Sequence, residues 1–436
     1  MQRDIREVSW SGCSAEAMAL FDRAIDATAS FHGDPLGLTR RALELDSTLH
    51  AARLLQGHVF ALSLHAPFRA AALKALAPLA DPPVPLSEHE ALHRDAIEAW
   101  LRGEPQQAAD RLARILQHWP RDLMALFFSH QADFFAAQTS SMLPRLDAAI
   151  ASWSPDLPGF GYLCGMRAFA CEEAGLYGPA EELAFEALDG NPLDAWAIHA
   201  RGHVLEMLGR VEEGIAWYDS TGPQWSEDCF FSVHNWWHKA LYHLDLGEHA
   251  AALAVYDGGI APDERSISLN LCDAAALLWR LRLHGIDTGN RWEVLAGLFE
   301  PHVERPSHVF IDVHAGFCLA AAGERDRLGD YVARLGALAG SGTGHGDMLR
   351  DLGIPAIQAA AALEEGRAGA AADLLGAAMT HEAGMTGSHA QRDLLPLTLI
   401  EAQLRSGRLS AARSRLEARL RQRPSSGWIA GDLARC

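Results

Sequence analysis

The chain has 436 residues, of which 49% are hydrophobic and 21% charged, a composition of folded protein rather than disorder. Its formal net charge of −19 argues against nucleic acid, which needs a Lys/Arg surface, and against docking on anionic lipid. The cysteines (Cys13, Cys164, Cys171, Cys229, Cys272, Cys318 and Cys436) are odd in number, widely spaced and without a C-x-x-C, which argues against a disulfide framework or a cysteine zinc site.

Residues 1–7 carry no apolar signal core, and no uncharged apolar run is long enough to cross a bilayer, so a cytoplasmic protein is expected. Residues 1–80 read as N-terminal helical repeats and end at the Pro-rich break 80–85. From there a turn glycine recurs, each between a helical stretch and a helix rich in small residues: Gly103, Gly175, Gly209, Gly247, Gly285, Gly323, Gly366 and Gly407. The steps are 72 (two periods), 34, 38, 38, 38, 43 and 41 residues. A period of that length means stacked helix pairs. The unit 174–192 is the plainest copy, with Gly175 and Tyr177 at the turn, Ala180, Ala184 and Ala187 where helices approach, and Asn191-Pro192 at the exit. Strand patterns are nearly absent. The central array spans 86–338. The Gly-rich stretch 340–346 lacks the Gly-Lys-Ser/Thr of a phosphate loop and reads as a linker, with a mobile lid as the alternative. Residues 347–436 form C-terminal helical repeats. Ser388 and Gln391 read as a capping box opening a late first helix.

The fold class is therefore all-α, a tetratricopeptide-like superhelix of roughly ten or eleven antiparallel helix pairs at that period. First helices of such pairs line the concave face. Counted back from the turn glycines, His93, His199, His203, His234, His238 and His314 fall on first helices, several at matching heights, and His130 also falls on a first helix. His199 and His203, like His234 and His238, are H-x-x-x-H pairs whose side chains leave one helix face. With Glu206 they suit a divalent transition metal such as zinc, manganese or iron, and His199, His203, His234 and His238 are the metal candidates. Without a metal, a histidine oriented by Glu206 or Asp133 can serve as general base, which makes His130 and the same histidines catalytic candidates. Trp196, Trp237, His93, Asp133, His314 and Arg392 complete the expected ligand-binding set. The plain alternative is that each histidine hydrogen-bonds a neighbouring helix and that Trp196, Trp236 and Trp237 fill core. His89 also pairs with His93 at H-x-x-x-H spacing. It matches no other first helix in height and is set aside.

At these residues the chain resembles the tetratricopeptide repeat protein 38 family, nearly end to end. The matching segments are 86–100 with His93, 122–135 with Ser129, His130 and Asp133, 194–207, the block His234-Asn235-Trp236-Trp237-His238 through Tyr242, 312–314, 351–355 and 390–393. The resemblance implies the helical-repeat fold and marks the inward histidines as family features. It brings no settled activity with it. His389 departs from the family pattern and is left out of the site. The resulting expectation is a His/Trp-rich pocket for a small or buried ligand or a partner segment, with a small-molecule enzyme as the alternative. The ligand class is a small molecule or peptide, and homo-oligomers stay open.

Overall fold

The computed structural model describes residues Met1–Cys436. Eleven helix pairs follow one another, from Ala15–Ser30 with Pro35–Leu45 to Leu394–Arg405 with Leu409–Gln422, and a last helix, Gly427–Ala434, stands alone. The only sheet is a two-stranded ribbon, Gln2–Arg3 against Ser9–Trp10, where the sequence reading had helical repeats from residue 1. No helix is long and apolar enough to cross a membrane.

Local chemistry sets the helix ends. All eight turn glycines of the repeat have φ between +66° and +81°, the left-handed conformation that closes a helix and costs a side chain most. At Gly175 the closure is complete: its N–H donates to Glu172 O, and the next N–H, of Leu176, reaches back to Cys171 O. Ser87 and Glu90 form a capping box on Glu88–Leu101, and the Ser388–Gln391 box forms as read. The small residues Ala180, Ala184 and Ala187 are fully buried where paired helices approach.

Contacts divide the chain into two compact units. The first comprises 1–201 and 227–231, the second 202–226 and 232–436, so the division falls within helix Ala195–Met207. In the first unit the N-terminal ribbon lies back on later repeats. Arg6, buried, donates to Pro158 O at 3.0 Å and pairs with Asp22 and Asp26. Ser11 gives its N–H and hydroxyl to Glu90 at 2.8 and 2.7 Å.

The second unit closes on itself. Ser425 Oγ donates to Gly209 O at 3.3 Å and Ser426 Oγ to Asp245 at 2.9 Å. Across the middle, Trp279 Nε1 donates to Thr398 Oγ1 at 2.8 Å and Arg280 to Ala390 O at 2.7 Å. Small residues let the first of these helices interlock: Tyr242 Oη donates to Gly202 O at 2.5 Å, and its ring fills the space a side chain on Gly214 would need.

Candidate functional site

The histidines named from the sequence do lie on first helices: His93 on Glu88–Leu101, His130 on Leu123–Phe135, His199 and His203 on Ala195–Met207, His234 and His238 on Ser232–Asp245, and His314 on Val309–Ala321. All but one of the histidine–carboxylate bonds join consecutive repeats, the local pair His243–Glu248 being the exception. His238 to Glu206 spans 32 positions, His234 to Asp273 39, His89 to Asp122 33 and His345 to Asp312 33. Two clusters result, one in each unit.

In the first unit, Asp122 caps its own helix by accepting from Ala125 N at 2.9 Å. Its other oxygen accepts from His89 Nε2 at 2.6 Å and His93 Nε2 at 2.8 Å, and His93 Nδ1 meets His58 Nε2 at 3.0 Å. The sequence reading set His89 aside, and the structure corrects that: it shares a carboxylate with His93, its ring against Trp10 and Trp119. His89, His93 and Asp122 have the composition of a metal site. Their protons nonetheless balance without one: each Nε2–H meets Asp122, and His93 Nδ1 accepts from His58. Burial pulls His58 and His93 down, and the Asp122 carboxylate works against that pull. Burial opposes the Asp122 charge, but His93 first and then His89 hold its carboxyl well below the usual range.

His130 and Trp196 also belong to the first unit, in edge contact at 5.3 Å beside Phe169. Both His130 nitrogens and the Trp196 Nε1 lack a partner, and burial pushes His130 down to about 3. Asp133, read as an acceptor for His130, instead gives both oxygens to Arg145 at 2.7 and 3.0 Å. His199 is ringed by Phe169, Trp196 and Phe231.

The second unit holds the other cluster. His238 Nδ1 meets Glu206 at 3.0 Å, and His234 Nδ1 meets Asp273 at 2.9 Å. The two Nε2 atoms then face each other at 3.2 Å. His203 packs edge-on against His238, ring centroids 4.4 Å apart, and ligand nitrogens of His203, His234 and His238 all lie within 4.8 Å of one another. Burial holds His203 and His238 well below the ordinary imidazole range. Behind them Arg423 contacts Glu206 at 3.3 Å and Asp245 at 3.6 Å. Trp237 stacks on His234 at 5.3 Å.

No protein-family model matches the chain. Among solved structures it is similar to the APC/C hetero-tetramer Cut9–Hcn1, at 14% identity and a TM-score of 0.48 over 96% of this chain and 76% of that one. It is also similar to the TPR domain of P58(IPK), at 12% identity and a TM-score of 0.21 over 74% of this chain and 99% of that one. The helix pairs of this chain, rather than that likeness, define its fold.

The remaining expected residues lie in the second unit. His314 bonds the Phe310 carbonyl one turn back at 2.7 Å, and burial pushes it down to about 4. Arg392 donates to Gly387 O and faces His389 Nδ1 at 3.0 Å. His389, left out on the sequence, stands against the Arg392 guanidinium. Sequence reasoning also missed Asp273, Arg280 and Arg423. A carboxylate one repeat from a histidine was the available signal for Asp273. Arg280 and Arg423 left none.

Proposed function

We propose that this is a helical-repeat protein of the tetratricopeptide repeat protein 38 kind whose second unit is a metal-dependent site for a small molecule. The block His234-Asn235-Trp236-Trp237-His238 supports the family. One observation carries the site: two carboxylate-oriented imidazoles with Nε2 atoms 3.2 Å apart. In the state we propose, each Nδ1–H is given to a carboxylate and each Nε2 turns a lone pair toward the other. Two lone pairs at that distance repel unless a cation sits between them. Two nitrogens on one tetrahedral zinc stand about 3.3 Å apart.

The donor set fits. Neutral imidazoles suit zinc, copper, iron and nickel, and carboxylates behind ligating histidines fix their tautomer and raise their basicity. Glu206 and Asp273 occupy those positions. His203 supplies a third nitrogen. A bound ion of this class supplies a Lewis acid with an exchangeable position. The chain's own carboxylates orient the rings, and His234, whose side chain is 14% exposed, is more accessible than the fully buried His238.

The test is equilibrium dialysis of untagged full-length protein against zinc, cobalt or manganese, followed by elemental analysis. About one equivalent, lost in His234→Ala/His238→Ala with the helical spectrum intact, is the expected result. No uptake of any of the three ions would leave a proton shared between His234 and His238 as the account of the 3.2 Å contact.

A further inference from the structure

Arg280 lies on helix Ser268–Leu283 and is 2% exposed. Its Nη1 donates to Ala276 O at 3.0 Å and its Nη2 to Ala390 O at 2.7 Å. Neither acceptor is charged. The carboxylates within electrostatic reach are committed elsewhere: Asp393 to Arg419 at 2.5 and 2.6 Å, Glu206 to His238 and Arg423. Burial pulls Arg280 down to about 10, so it is charged at neutral pH. A buried cation without an ion-pair partner is costly, and charges perturbed in this way gather at functional sites.

Arg280 lies beside the histidine cluster. The guanidinium carbon stands 5.3 Å from the Trp237 ring centroid, and His234 stacks on that same indole at 5.3 Å. Two of the five guanidinium N–H groups are used, and three are left for a planar, two-oxygen acceptor.

We infer that Arg280 is an anion-binding residue of this site, and that the small molecule it receives carries a carboxylate or phosphate group. The placement of the rest of that molecule rests on the metal reading; the anion contact does not.

Isothermal titration of the full chain in low chloride tests this, zinc-loaded and metal-free, with acetate and with inorganic phosphate. The wild type is expected to bind at least one of them, and Arg280→Gln to weaken that binding tenfold or more with zinc content unchanged. Preference for acetate or for phosphate identifies which anion the site takes. Equal affinity in Arg280→Gln, or no binding of either probe to the wild type, overturns the inference. If Arg280→Gln does not fold, Arg280→Lys keeps the charge and loses the planar fork. It should also weaken binding about tenfold, and equal affinity there overturns the inference too. A chain that takes up no zinc, yet loses anion binding on Arg280→Gln when metal-free, would sink the metal reading and uphold this one.

Discussion

Arg423 and Glu206 stand 217 positions apart in the chain and meet at 3.3 Å in the interior of the second unit. Burial works against the Arg423 charge, and Glu206, Asp245 and Asp393 more than offset it, so its pKa is raised. The same Glu206 holds His238 through its other oxygen. A residue of the C-terminal segment thus stands directly behind the histidine cluster.

Replacing Arg423 by Met should therefore destabilise the second unit by about 3 kcal/mol, since two buried carboxylates lose their cation. Urea unfolding at pH 7 reads this directly. A loss below about 1 kcal/mol would mean that the pair is worth no more than a surface ion pair.

Glu206→Gln and Asp273→Asn keep shape while removing the charge behind His238 and His234. Each should lower zinc affinity by about 10- to 100-fold, measured by competition with a chromophoric chelator. Affinity equal to the wild type in both variants would show that the carboxylates do not serve the imidazoles as metal ligands.

His130 gives the first unit a pH dependence. Its pKa is about 3 in the fold, because burial disfavours the charged ring, against about 6.5 when unfolded. Between those values the unfolded chain binds the extra proton, so the stabilising effect of high pH fades as pH falls below about 6.5. The slope is about 1.4 kcal/mol per pH unit for one such group. His130→Phe should flatten the curve by that amount between about pH 6 and 4. Parallel curves for variant and wild type would mean that His130 finds a partner in solution.

Gly214→Ala and Gly329→Ala should move stability in opposite directions. A Cβ on Gly214 would sit 2.3 Å from Tyr242 Cζ, and Tyr242 is anchored at Gly202 O. The clash should cost about 1–3 kcal/mol. Gly329 lies inside helix Arg325–Ala339 with nothing within 4 Å of an added Cβ. There alanine should gain about 0.5–1 kcal/mol by reducing the freedom of the unfolded chain. Thermal unfolding of the two variants side by side decides it.

The repeats were legible because each boundary is local chemistry: a glycine at positive φ, an Asn-Pro exit, a Ser–Gln box. The histidines were legible because a period of four on one helix is also local. What each ring bonds to was not. His89 looked unmatched because its height on the helix was compared with other histidines rather than with Asp122, one repeat later. Asp133 sits three residues from His130 but turns to Arg145, twelve positions on. Arg423 comes from 217 positions away, and nothing in residues near Glu206 announces it.

The contacts of Arg423, Ser425 and Ser426 with residues 206–245 change how the second unit can assemble. In an open repeat array folding can begin anywhere and spread, and an end can fray or lose a repeat with little effect on the rest. Here the earliest and the final segments of the unit must both be present before either is satisfied, which raises the mean sequence separation of native contacts and slows folding. Its repeats are thereby held to a fixed number: one inserted or deleted between Asp273 and Asp393 would carry Arg423 away from Glu206 and undo the ring at its join.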